Sequence, residues 1–222
     1  MDGVLADFAS AFHEVEVRLF GRDAPLEEAQ PEQEEERQEA ASQQETAHAS
    51  RAARRRRDKV WREIESTPDF WATLEPIDPG AVRRIHELML RHHWEVFFIT
   101  QRPKTEGETV QRQTQRWLVG QGFDLPSVLV LGGSRGAAAN ALRLNYHVDD
   151  STQNCLDVIA ESRAKPLLIV PGQDEATIAS ARKLGIGTAP SIGEALKILE
   201  EATLAQTQPG LLQRIATIVG WK

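Results

Sequence analysis

Residues 146–170 read YHVDDSTQNCLDVIAESRAKPLLIV, and the fold class turns on how this stretch is parsed. YHVDD is a short strand that ends in paired acids. TQNCLDVIAESR has the composition of a helix, and KPLLIV is the continuous apolar run of a strand buried on both faces. A strand, a helix and a second strand in so short a span form a parallel unit, because the helix carries the chain back to its starting edge. The same alternation extends in both directions. Upstream, PGAVRRIHELMLRHH predicts a helix with Val82, Ile85, Leu88 and Met89 on one face, and WEVFFIT predicts a buried strand. ETVQRQTQRWLVGQG follows as a helix closing at Gly120 or Gly122, SVLVLGG as a strand and RGAAANALRLN as a helix. Downstream come a helix in EATIASARKLG, a short strand in IGTAPS and a helix in IGEALKILEEATLA. The expected architecture is α/β, a parallel sheet flanked by helices.

The two ends of the chain differ from this pattern. MDGVLADF reads as the end of a strand turning into a helix, with Phe8, Phe12, Val15 and Leu19 at helical spacing and Gly21 as a stop. No strand residues precede Asp2, so the sequence as written is expected to start late. Residues 23–59 run acidic first and end basic, with RRRR at 54–57 and almost no large apolar side chain. Such a segment is a solvated helix or a disordered insert, since it has little apolar surface to bury. Aromatic mass returns with Trp61, Ile64, Phe70, Trp71 and Leu74. At the other end LLQRIATIVGWK predicts one more amphipathic helix, within 206–222, whose apolar face docks or dimerises.

Composition narrows the functional classes. The chain has 222 residues, 41% of them hydrophobic, enough for a sizeable core. A net charge of −7 argues against a nucleic-acid partner, and the acidic run just upstream offsets the RRRR block. Cys155 is the sole cysteine, which excludes an intramolecular disulfide and a four-cysteine zinc site. No apolar run approaches the roughly 20 residues that cross a bilayer, and no secretory signal is evident. The expectation is a cytoplasmic protein acting on a small molecule, with no membrane partner.

In a parallel sheet, ligands gather outside the carboxyl ends of the strands. The residues expected there are Asp2, Thr100, the Gly132–Arg135 turn, and Asp149 with Asp150. Carboxylates from two strands hold a hard divalent cation, a hydroxyl and a turn's backbone N–H groups grip phosphate oxygens, and a guanidinium balances charge. These are the parts of a phosphoryl-transfer site. Each also has a purely structural reading. Asp2 and Asp149–Ser151 suit helix caps or turns, Thr100 a strand end, and Arg135 the surface. Trp61, Phe70 and Trp71 suit a local core. His147 suits a core hydrogen bond, His92 and His93 a helix C-terminus, and Cys155 a buried small side chain.

In the order DGVLADF, FFITQRP, GGSRG and YHVDDSTQN, the chain resembles the haloacid dehalogenase-like superfamily, whose members are mostly Mg²⁺-dependent phosphatases. DGVLADF followed by FWATLEPI resembles its 5′(3′)-deoxyribonucleotidase type, with a small helical cap inserted after the first strand and helix. The resemblance implies a core of residues 1–20 and 78–205 and a cap spanning 21–77. It implies that Asp2 is the general acid/base and a Mg²⁺ ligand, and that Thr100 binds the transferring phosphate with backbone help at Gln101 and Arg102. Asp149 is implied as the carboxylate ligand of the metal and Asp150 as its neighbour that orients bound water or supplies charge, Arg135 or else Arg143 as the site cation where the family usually has Lys, and Phe70 and Trp71 as nucleobase contacts. The family's nucleophilic Asp falls one residue before Met1. The implied activity is hydrolysis of a small phosphomonoester, with a nucleoside monophosphate the first guess. A non-catalytic binding or regulatory protein with the same fold is the alternative.

Overall fold

The computed structural model describes residues 1–21, 43–205 and 219–221. Helix α1 (Phe8–Phe20) starts where the Asp7 carboxylate accepts the Ser10 N–H, and it stops at Gly21, whose φ of 86° suits glycine. Helix α2 (Gln43–Ser66) packs antagonistic charge outward and Val60 and Ile64 inward, both with 0% exposure. The Arg56 guanidinium lies over the Phe20 ring and Arg18 pairs with Glu63, so α2 is fixed along α1. The basic end of the 23–59 stretch is therefore helical, while residues 22–42 lie outside the described residues. A single turn of 3₁₀-helix at Phe70–Ala72 then brings the chain back.

The alternation expected from sequence follows in full: α3 (Ala81–His92), β1 (Phe97–Thr100), α4 (Val110–Gly120), β2 (Ser127–Val130), α5 (Arg135–Ala141), β3 (Tyr146–Asp149), α6 (Thr152–Glu161), β4 (Lys165–Ile169), α7 (Glu175–Lys183), β5 (Gly187–Ala189) and α8 (Ile192–Ala205). All strand pairs are parallel, with Thr100 opposite Val130, Asp149 opposite Leu168 and Ile169 opposite Ala189. The strands do not form one sheet, however. β1 pairs with β2, and β3, β4 and β5 form a second sheet in that order. Among the described residues β1 and β3 each pair on one side only. The segment Met1–Gly3 touches the carboxyl ends of both but makes an isolated bridge, Asp2 to Ala6, instead of a ladder.

One core nevertheless serves both sheets. Phe98 and Val128 share a buried cluster with Leu167, Ile169 and Ala189, and Val4, Leu5, Phe12, Trp71 and Trp117 belong to it. Helix α5 crosses α6 closely at Gly136, where a Cβ would sit 2.0 Å from the Asp157 carbonyl oxygen. The predicted C-terminal helix lies mainly outside the described residues. Its end does not: Trp221 is buried, donates its indole N–H to the Pro166 carbonyl at 2.7 Å and tilts against Tyr146. No helix among the described residues is long and apolar enough to cross a membrane.

Candidate functional site

Two strand ends and the chain's first residues build the site. Thr100 is the last residue of β1 and is buried, and its hydroxyl lies 3.4 Å from an Asp2 carboxylate oxygen. Two residues further on, the chain has left the strand and Arg102 turns back under the same carboxylate. Its Nε lies 3.0 Å from both Asp2 oxygens and its Nη2 2.5 Å from Oδ1. Nη1 donates to the Thr114 hydroxyl at 2.9 Å, and that hydroxyl donates to the Val110 carbonyl. The guanidinium also stacks over the Trp71 ring at 4.9 Å. Arg102 is thus held on three sides, its side chain 1% exposed, while the Asp2 side chain is 27% exposed. Burial pushes the Asp2 carboxyl up, but the charge and hydrogen bonds of Arg102, with the Thr100 hydroxyl, hold it below the usual range.

Asp149 and Asp150 stand at the end of β3. Asp149 is buried, and protein donors take up its carboxylate. Oδ1 accepts from the Ser151 backbone N–H at 2.9 Å and the Asn154 amide at 3.0 Å, and Oδ2 lies 3.0 Å from His147 Nε2. Burial opposes ionisation, yet the His147 and Asn154 hydrogen bonds outweigh it, so the carboxyl lies well below its ordinary range. The Ser151 hydroxyl also caps α6. Asp150 differs. It opens to solvent on one side and faces protein on the other, where Gly3 presses against it. Its carboxyl is raised to about 6, by burial on the protein side and by the neighbouring Asp149 charge. Gly3 has φ of 72°, and a Cβ there would overlap the Asp150 carboxylate, so the backbone runs directly beside it.

The remaining sequence-stated residues fall as follows. Gln101 is exposed beside Arg102. Arg135 opens α5 just past the carboxyl end of β2, buried, with Nη1 lacking a hydrogen-bond partner. Arg143 is exposed in a left-handed turn, φ 52°, at the amino end of β3, the edge opposite Asp149. That position removes Arg143 from the site. Phe70 and Trp71 are buried, at 5% and 1% exposure, and the Trp71 indole N–H donates to the Pro103 carbonyl at 2.9 Å. Both rings pack as core here, and Trp71 meets the site through Arg102 rather than through an open face. Cys155 is buried beneath the acidic pair, which together with its burial pushes the thiol far up. His92 pairs with Glu200 at 3.1 Å, away from the site.

The guanidinium of Arg102 is what sequence reasoning missed: only its backbone was given a role. The signal was present in the Thr-x-Arg spacing after an apolar strand, which places a long cation at the ligand edge of the sheet. Among the described residues no three acidic, imidazole or thiol groups converge as a ready cation cage. Comparison of the chain with known protein families, with characterised proteins and with solved structures finds no match.

Proposed function

We propose that the chain is a Mg²⁺-dependent phosphomonoester hydrolase of the haloacid dehalogenase-like type, with residues 21–77 as its cap and a small phosphorylated metabolite as substrate. One observation carries this reading: the Thr100 hydroxyl and the buried Arg102 guanidinium converge on the Asp2 carboxylate at the carboxyl end of β1, and the next residue, Gly3, lies against Asp150 at the carboxyl end of β3.

The donor set fits a hard divalent cation that keeps several waters and takes one or two carboxylates plus substrate oxygens. Asp150 has the open carboxylate, and its like-charge conflict with Asp149 is what a cation relieves. Asp149 already engages Ser151, Asn154 and His147, which leaves it fewer free lone pairs than Asp150 and favours support by charge over direct ligation. The resemblance had suggested the reverse division. The Asp2 carbonyl oxygen accepts no backbone hydrogen bond among the described residues and remains available. Bound there, the cation would offset charge on the phosphoryl oxygens. Thr100 and Arg102 donate to those oxygens, and Asp2, once free of Arg102, passes a proton to the leaving oxygen. Arg135, buried with an unpartnered nitrogen beyond β2, is a second cation on the same edge.

The nucleophile of this chemistry is a carboxylate that the resemblance locates one residue before Met1. A second reading follows from a specific observation. Asp2 is tied to Arg102 and Asp149 is buried and held by Ser151, Asn154 and His147, so neither is placed to attack phosphorus, and the described site suits a phosphate-binding protein. The test compares the chain as written with one extended before Met1 by an apolar strand ending in Asp, against phosphomonoesters with Mg²⁺. Turnover in the extended chain, abolished by Asp150→Ala, supports the hydrolase. No turnover in either, with phosphate bound, supports the binding protein.

A further inference from the structure

We infer that Arg102 is an anion-binding residue closed off by Asp2, and that a phosphate group opens it by taking the place of the Asp2 carboxylate. The inference deepens the phosphohydrolase reading and rests on it for the choice of phosphate as the anion. The argument starts from the geometry of the pair. Nε and Nη2 of Arg102 present a side-on fork, and both point at Asp2. A guanidinium fork matches carboxylate and phosphate oxygens alike, so what fills it is decided by supply and competition. The rest of Arg102 cannot move to follow a departing partner. Nη1 is bound to Thr114, whose hydroxyl is anchored to Val110, and the guanidinium plane rests on Trp71. Trp71 is fixed in turn by Pro103 and by the Gln113 side-chain carbonyl, which accepts its backbone N–H at 3.0 Å.

The cation is therefore preorganised and buried, and the movable member of the pair is the anion. Asp2 lies on a segment outside any ladder, its side chain 27% exposed against 1% for Arg102. Rotation of Asp2 about its side-chain torsions leaves the fork facing the opening. It also uncovers the Thr100 hydroxyl, which points at the same carboxylate. Two donors from one strand end converge on a single carboxylate, the arrangement expected of a cradle for oxyanions.

Titration of inorganic phosphate into the full chain at pH 7.5 by calorimetry tests this without requiring turnover. Asp2→Asn should bind phosphate at least about tenfold more tightly than the wild type, since the amide is a weaker competitor for the fork. Glu14→Gln removes an equal charge from the exposed side of α1, outside the site, and should change affinity by less than about threefold. Adding Arg102→Lys to Asp2→Asn keeps the charge, loses the fork and should weaken binding at least about fivefold. Adding Arg102→Gln should abolish binding, and circular dichroism of each variant checks folding. Equal gains from Asp2→Asn and Glu14→Gln, or undiminished binding in Asp2→Asn/Arg102→Lys, overturn the inference. Phosphate exchange without turnover in the extended chain leaves it standing and removes the hydrolase reading. Turnover without exchange does the reverse.

Discussion

Replacing Asp150 by Asn removes one of the two adjacent carboxylates at the end of β3 while keeping the side chain's shape. The native carboxyl is raised from 3.8 to about 6, first by burial on its protein side and then by Asp149. At about 1.36 kcal/mol per unit that rise corresponds to about 3 kcal/mol. Asp150 is open to solvent on its other side. Screening there leaves roughly half, about 1–2 kcal/mol. The sign follows from linkage. Between 3.8 and about 6 the folded state holds a proton that the unfolded state has released, so stability falls as pH rises through this window. Above about 6 the destabilisation is complete. Asn is neutral throughout. Urea unfolding should therefore find Asp150→Asn more stable than the wild type by about 1–2 kcal/mol at pH 7.5, with most of the gap closed by pH 4. Mg²⁺ at pH 7.5 should raise the wild-type melting temperature and leave the variant unmoved. A variant no more stable than the wild type at pH 7.5, or a gap independent of pH, refutes the reasoning.

Other perturbations separate scaffold from site. Arg102→Met strands a partly buried carboxylate and the Thr114 hydroxyl, and chemical denaturation should register a loss of about 2–4 kcal/mol. Gly136→Ala forces a Cβ to within 2.0 Å of the Asp157 carbonyl where α5 crosses α6. Backbone on both sides cannot yield cheaply, so a melting curve should show at least about 2–3 kcal/mol of destabilisation. Trp221→Ala removes a buried indole and its hydrogen bond to Pro166, and should cost about 3–5 kcal/mol in urea unfolding. Gly3→Ala meets only the end of the Asp150 side chain. Its left-handed φ should cost about 1–2 kcal/mol in the same assay, with a larger loss in Mg²⁺ binding than in stability.

The alternation of helices and strands was legible because each strand is a short apolar run bounded by turn residues, and each helix shows its apolar face at the right spacing. WEVFFIT and SVLVLGG became β1 and β2, and KPLLIV became β4. What was not legible was lateral order. Nothing local in FFIT or YHVD says which strand lies beside it, since pairing joins residues far apart in the chain. The split into two sheets is therefore a property of the assembled chain alone. The site shows the same limit. Strand-end position singled out Asp2, Thr100, Asp149 and Asp150, and position along β3 was enough to displace Arg143 once the strand's direction was known. The partner of each charge was beyond reach. Asp2 and Arg102 are separated by 100 residues, and Asn154 reaches back to Asp149 only because α6 begins where it does. Composition read the polar stretch as a solvated helix or a disordered insert, and its described part, from Gln43 onward, is helical. Contacts to α1 that composition does not reveal, Arg56 over Phe20 and Arg18 with Glu63, join the two helices.

The tripeptide Met1–Gly3 carries more of the structure than its length suggests. Asp2 engages the end of β1 through Thr100 and Arg102, and Gly3 lies against Asp150 at the end of β3. Beneath these contacts the sheets share apolar packing, which is non-directional and does not fix how far apart two strand ends stand. The directional side-chain interactions at this end of the molecule are those of Asp2 with Thr100 and Arg102, and they are partly solvated. A charged tether of this kind is sensitive to any anion or cation that competes for its ends, because each competitor exchanges one ion pair for another at little net cost.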